Sequence, residues 1–418
     1  MVRLQVYIVY IAYMETLKFI NKIKLPKLVE VASSTKWLTS LSMNMFMAGD
    51  ENNLVATNGD WEAEKEDILE RANWLCEKII TSPEQLMKEV PSVLPEWAKG
   101  EWAIYSCSML THALANIGYL YPEKKDGIPN LIARMVEIVN TPIIRGYDTL
   151  QWHEDAMESL HTDHHHMTYL SILAWMITNY KLAGGDDRYD ELLHRLMETL
   201  VRRMKNSKYD LNLLSFPRKQ IWLPDMLVNI IALKNYSRLF DGKYSDILEA
   251  WMVNAKTEWI HHRTGLLAGM LPGANYHQKG IVLRGSCTAL NCSYLTMVDA
   301  DFAKVQYEFM KEVFGTHASL MNTTVYGIKE YLRKSPKFAL DPGQAGLVIM
   351  GLSAGGTAFA LGAATFLGDW EIRYQLLRTA ELAGCTIKDK RKRHYRLSEF
   401  ALAGEAIALA MKTNVNRY

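Results

Sequence analysis

Only five of the 418 residues are cysteine: Cys76, Cys107, Cys287, Cys292 and Cys385. Their odd number, the lack of CxxC spacing and their placement mostly in apolar segments argue against a disulfide framework and a structural zinc. They favour reduced thiols in a cytoplasmic protein. Excess charge of either sign is also missing, since 47 Lys and Arg stand against 46 Asp and Glu. A formal net charge of +1 gives no electrostatic basis for binding nucleic acid or an anionic membrane. There is no Gly-rich phosphate loop: the glycines between Gly351 and Gly362 lie inside an apolar segment, with no strand before them and no Lys-Ser/Thr ending. Neither a nicotinamide nor an ATP cofactor is expected, and no other cofactor is called for. No convincing strand ladder and no repeat of fixed period are present.

What the sequence does contain is helical periodicity, at about residues 60–81, 100–121, 126–140, 161–183, 186–206, 222–240, 243–259, 285–297, 300–314, 344–367, 369–384 and 396–412. Tight turns with acidic caps join several pairs, as at Gly184 to Asp187, Asp241 to Lys243, Val298 to Asp301 and Gly368 to Trp370. Long Pro- and Gly-containing stretches separate the pairs: 141–160, 207–221, 260–283 and 316–343. Short and long connections alternate, which predicts an all-α (α/α)6 toroid of six helical hairpins. Residues 59–418 form the single barrel domain, and 1–58 a partly irregular N-terminal extension. Inner helices are expected to begin near 100, 161, 222, 285, 344 and 396. The long loops then lie at their N-termini, where free N–H groups and helix dipoles converge on one mouth.

Two stretches resemble membrane segments. Leu4 to Met14 has the apolarity of a short signal h-region without a clear cleavage site, and equally fits an extension ahead of Met14. Ala345 to Gly368 has no charge over a bilayer-spanning length. Its glycines and alanines and its place in the helix series assign it to the toroid core, with Gly346, Gly351, Gly355, Gly356 and Gly362 allowing close helix approach. No stable membrane span is expected. The basic run Lys388 to Arg396 is read as a solvated loop rather than a phosphate-binding patch.

The densest polar cluster runs from Trp152 to Asp155 and from His161 to His166. With a helix starting at 161, His161 and His165 lie one turn apart, as do Thr162 and His166. His166 shares the inner stripe with Tyr169, Leu173 and Ile177, and imidazole titrates near neutrality, so His166 is the favoured acid–base group. No second spaced ligand pair follows, and no metal is expected. Asp225, in the first turn behind Pro224, is a cap or a cavity acid. Asp155 and Glu101 stand at equivalent loop-to-helix junctions, where paired carboxyls can divide acid and base roles. Arg284 is a candidate anchor for a carboxylate, phosphate or hydroxyl group. Cys287, at a helix N-terminus, is a candidate for a lowered thiol pKa, with a buried structural thiol as the commoner alternative. Trp97, Trp102, Trp152 and Trp222 fall near the mouth, suited to stacking on a sugar or enclosing a terpene-like chain.

Several pieces occur in a telling order: His166 to Leu173 (HMTYLSIL), Gly184 to Asp186, Trp222 to Asp225 (WLPD), Arg284 to Ser286, Asp299 to Tyr307 (DADFAKVQY), Asp341, and Gly351 to Ala364 (GLSAGGTAFALGAA). Across about residues 95–385 the chain resembles bacterial (α/α)6-barrel proteins related to the linalool dehydratase/isomerase family. The resemblance implies the toroid and acid–base dehydration and isomerisation of an allylic alcohol in a deep apolar cavity; Asp341 is a further candidate for substrate contact. Two function classes follow. One is an acid–base enzyme: a lyase or isomerase on a small alcohol, as the resemblance implies, or a carbohydrate-active hydrolase or lyase, as the Trp and carboxylate mouth suits. The other is a noncatalytic ligand-binding toroid. The enzyme takes a small-molecule substrate, the binding toroid a ligand or peptide, and a homo-oligomer is compatible with both.

Overall fold

The computed structural model describes residues 60–90, 96–217, 220–272, 281–320, 323–333, 338–341, 346–399 and 401–417. Among these, α3 (Glu96–Leu120), α6 (Met167–Leu182), α8 (Leu223–Leu239), α10 (Gly285–Thr296), α12 (Ala354–Leu367) and α14 (Leu402–Lys412) pack in that order, and α14 returns onto α3 to close a ring. The composition of these helices explains their position. Every residue of α10 is buried, the hydroxyls and amide of Ser286, Thr288, Asn291, Ser293 and Thr296 included, as is every residue of α6 from Met167 to Tyr180, and a helix buried on all sides requires neighbours on all sides. Around them stand α1 (Trp61–Ile79), α4 (Ile128–Val139), α7 (Asp190–Asn206), α9 (Ser245–Thr257), α11 (Ala300–Phe314) and α13 (Trp370–Gly384). These outer helices bury one stripe each; in α7 it comprises Leu193, Leu196, Met197, Leu200, Val201 and Met204. The expected (α/α)6 toroid is present. Short α2 (Pro83–Glu89) and α5 (Pro142–Trp152) lie between its hairpins.

The sixth hairpin is assembled from the two ends of the barrel: outer α1 packs on inner α14 and α3. Buried charges hold this seam. Arg71 of α1 donates to Asp67 at 3.0 Å, to Glu405 of α14 at 2.6 Å and to Glu381 of α13 at 3.0 Å, and Lys412 donates to Asp67 at 2.7 Å. Burial works against the ionised form of Asp67, yet Lys412 and Arg71 hold it well below the usual carboxylate range. The basic run 388–396 contributes here too. Instead of a solvated loop it forms the hairpin β8 (Thr386–Asp389) and β9 (Lys392–Tyr395), and Arg393 pairs with Glu70 at 2.6 Å.

Three local expectations are corrected. The segment assigned to a helix from 344 instead forms β6 (Gly346–Ile349) and β7 (Leu352–Ser353), joined to β5 (Phe338–Asp341), and helix α12 starts only at Ala354, capped by the Ser353 hydroxyl. Gly351 therefore lies in a turn with φ 85° and Gly346 in a strand, while Gly362 does sit at a close approach, its pro-Cβ position against Met411 Sδ. Residues 162–166 are irregular, so the one-turn pairing of His161 with His165 does not exist. Short antiparallel strand pairs occupy loops read as strand-free, such as β1 (Gln220–Trp222) with β2 (Met270–Pro272) and β3 (Gly315–Leu320) with β4 (Thr323–Ile328). No helix among the described residues is long and apolar enough to cross a membrane; Leu4 to Met14 lies outside them.

At the C-terminal ends of the inner helices the ring is plugged. Asn414 donates to the Gly362 carbonyl at 3.0 Å, and Arg417 to Asn179 Oδ1 at 2.8 Å. The inner helices begin at the opposite face.

Candidate active site

At that face the N-terminal half of α3 and the first turns of α6 and α8 bring carboxyls and hydroxyls together. Pro224 opens α8 and places Asp225 in its first turn. Its Oδ1 accepts from the Tyr105 hydroxyl of α3 at 3.0 Å and its Oδ2 from Thr168 of α6 at 2.9 Å. Burial raises the Asp225 pKa, and hydrogen bonds from Ser215, Thr168 and Tyr105 oppose that rise by favouring the carboxylate. One turn before Tyr105 on the same helical face stands Glu101. Burial first, then the negative charges of Asp225 and Asp148, push its carboxyl up to about 8. Glu101 is therefore neutral at pH 7. Buried groups without a protein partner surround this pair: the Tyr147 hydroxyl, whose pKa is raised by burial and by the charges of Asp148 and Glu101, and the Tyr294 hydroxyl, raised by burial and by Asp225. Buried donors are ordinarily satisfied, so these hydroxyls suit a polar ligand.

A second cluster adjoins through Asp148. Thr141 and Pro142 start α5, which carries Tyr147, Asp148 and Trp152 and ends at His153 in a left-handed conformation. The chain then runs to His166, also left-handed at φ 42°, which caps α6. Arg202 and Arg203 of α7 fix the intervening loop by donating to the carbonyls of Ser159, Leu160, Thr162 and His165. Within it His166 is fully buried, its Nδ1 2.5 Å from Asp148 Oδ2, its ring against Trp152, and its Nε2 without a hydrogen-bond partner. His164 Nδ1 meets Glu154 Oε2 at 2.6 Å. His165 is a loop staple: its Nδ1 accepts the Leu214 N–H at 2.6 Å, and burial, reinforced by Arg203, lowers its pKa to about 4.

Beside the start of α8 lies a separate cavity of about 220 Å³ lined by Trp222, Gly269, Met270, Leu283, Arg284 and Cys287, among others, and by neither Glu101 nor Asp225. Arg284 is matched within the protein: it donates to Glu330 at 2.9 Å and to the Tyr331 hydroxyl at 3.0 Å. The fully buried Glu330 also accepts from the backbone and hydroxyl of Ser286. The lowered thiol pKa considered for Cys287 is reversed. Burial, then the Glu330 charge, pushes it to about 12, the inert buried alternative. A depression of about 350 Å³ between Trp74 and His394 belongs to the α1–β9 seam and includes none of these groups.

Not every sequence candidate joins them. Asp155 accepts from Arg145 at 2.7 Å and from the Met157 N–H at 2.8 Å; burial opposes and these bonds prevail in lowering its pKa, so it braces the loop. The Tyr169 hydroxyl is used by the Val139 carbonyl at 3.2 Å, in the wall between α6 and α4. Trp102 packs beside Tyr105. The side chains of Trp97 and Asp341 lie outside the described residues. Conversely, Tyr105, Tyr147, Asp148 and Glu330 escaped sequence reasoning. An aromatic on an apolar helix reads as core. The Thr-Pro start of α5 was the only signal for Asp148.

No known protein-family profile and no curated protein matches the chain. Among solved structures, a family 105 glycoside hydrolase from C. acetobutylicum ATCC 824 is similar at 14% identity and a TM-score of 0.40, over 73% of this chain and 92% of that one.

Proposed function

We propose that the mouth is an acid–base active site, with Glu101 as proton donor and Asp225 as its ionised partner, acting on an oxygen of a small alcohol. The observation that carries this reading is the unequal environment of two neighbouring carboxyls. Glu101 is half-buried and faces the negative charges of Asp225 and Asp148, whereas Asp225 accepts from the hydroxyls of Tyr105 and Thr168. On this reading Glu101 holds the proton, the division of roles that lets two carboxyls serve as acid and base together. In a dehydration Glu101 protonates the departing hydroxyl, the C–O bond breaks to release water, and Asp225 removes the proton from the adjacent carbon as the double bond forms. The apolar walls given by Met270, Leu283 and Trp222 suit a terpenoid-like chain, in keeping with the sequence resemblance. The unpartnered Tyr147 and Tyr294 hydroxyls supply positioning.

Glycoside cleavage is the second reading. A neutral Glu near an ionised Asp is also the pair that reaction uses, and the buried indole nitrogens of Trp152 and Trp222 lack partners. The test is turnover by purified protein of a panel of tertiary and allylic alcohols beside a panel of aryl and unsaturated glycosides. Turnover of an alcohol, reduced at least about a hundredfold in Glu101→Gln and Asp225→Asn, is expected. Turnover confined to glycosides replaces the first reading with the second, and variants with wild-type rates refute both.

A further inference from the structure

We propose that Glu154, His164 and His166 form a binding site for a first-row divalent cation, zinc being the best match to the donor set. The ligand-bearing atoms of these three side chains all lie within 4.8 Å of one another. His166 is the anchor. It is completely buried, and its Nε2 has no hydrogen-bond partner while pointing to Glu154 Oε2 at 3.7 Å. An orphaned imidazole nitrogen in a protein interior is costly; a metal ion uses its lone pair.

The opposite edge of that ring supports the assignment. Asp148 Oδ2 lies 2.5 Å from Nδ1; with the proton on Nδ1, Nε2 presents the lone pair. A carboxylate behind a histidine in this way is the usual outer support of a metal ligand, fixing ring orientation and raising ligand basicity. Asp148 is itself buried in the first loop helix, and the loop carrying the ligands is held by Arg202 and Arg203 as described. The support is therefore built before any ion arrives.

Distances agree with the chemistry. Tetrahedral zinc with bonds of about 2.0–2.2 Å holds its ligand atoms roughly 3.4 Å apart. The 3.7 Å separation of His166 from Glu154 is close to that. The shorter 2.6 Å contact of Glu154 with His164 opens by rotation of His164, whose side chain is 61% exposed. Two imidazoles and one carboxylate leave a fourth position for water or a substrate oxygen, and the exposed edge at His164 gives the ion a route in. Sequence spacing conceals the set, because Glu154 and His164 lie ten residues apart on a loop and follow no helical or CxxC rule. The inference goes beyond the acid–base reading and does not rest on it, since binding alone is measured.

The experiment titrates Co²⁺ into untagged, chelator-treated full-length protein, followed by visible d–d absorption, with Zn²⁺ competition by calorimetry. Saturable one-to-one absorption, displaced by Zn²⁺, is expected. It should vanish in His164→Ala and Glu154→Gln, whose exposed or half-exposed positions leave folding intact by circular dichroism. It should weaken roughly 10- to 100-fold in Asp148→Asn and persist in His161→Ala. No saturable absorption, or absorption unchanged in His164→Ala and Glu154→Gln, overturns the proposal. Loss of turnover in Glu101→Gln with Co²⁺ binding retained separates this site from the acid–base pair.

Discussion

Tyr105 donates to Asp225 Oδ1 at 3.0 Å from one turn beyond Glu101, so one face of α3 carries both the carboxyl that burial pushes up to about 8 and a hydroxyl that favours the charged form of Asp225. Tyr105→Phe deletes that donor and leaves Asp225 with Thr168 and Ser215. A hydrogen bond to a charged group contributes about 1.5–3 kcal/mol, so turnover on whichever substrate class is found should fall roughly tenfold to a hundredfold with KM little changed. Unchanged turnover in a folded Tyr105→Phe variant removes the assigned role of Asp225.

Glu101 makes stability depend on pH in a definite sense. Its folded value of about 8 lies above the 4.5 of an exposed glutamate, so between those values the native chain holds a proton that the unfolded chain has released. Its contribution is fully present below about 4.5 and is lost as pH rises toward about 8. Glu101→Gln removes this dependence. The variant should exceed the parent in stability at pH 8.5, by on the order of a few kcal/mol, and the two should converge near pH 4.5. Urea denaturation at pH 5, 6.5 and 8.5 measures it, and parallel curves for parent and variant contradict the assigned environment.

Arg71 is predicted to be the most sensitive single charge in the barrel. Its removal in Arg71→Ala strands Asp67, Glu381 and Glu405 in the interior, and breaking a buried pair by removing one partner costs about 3–5 kcal/mol. Thermal or chemical denaturation should show that loss, while exposed pairs such as Lys243 with Glu198 should yield less than about 1 kcal/mol when broken. Equal costs at both places would show the seam to be unimportant.

Much of the ring was legible because its signal is physical and long. Residues 285–296 and 167–180 are buried on every side, and the capped turn before Asp301 and the Gly368 turn mark hairpins unambiguously. The start of α12 was not legible. A short apolar run rich in glycine satisfies a buried strand as well as a helix, and the pairing of β6 with β5 and β7 decides it through contacts no local pattern contains. His161 to His166 failed for a related reason: helical spacing was applied to residues whose geometry is imposed by Arg202 and Arg203, about 40 positions away. Asp225 and Glu101 were accessible from their places at helix starts. The partners that separate their proton affinities, Tyr105, Thr168 and Asp148, became visible only once three helices stood side by side.

The seam between α1 and α14 also has a temporal meaning. Arg71 and Glu405 are 334 positions apart, so on a ribosome the first outer helix emerges long before the inner helix it must cover. Until then the apolar flanks of α3 and α1 that α14 will shield stay open to water or to a chaperone. Contacts of such sequence separation form late and slow the search. The buried ions of the seam join the two ends of the finished circle across nearly the whole length of the barrel's sequence.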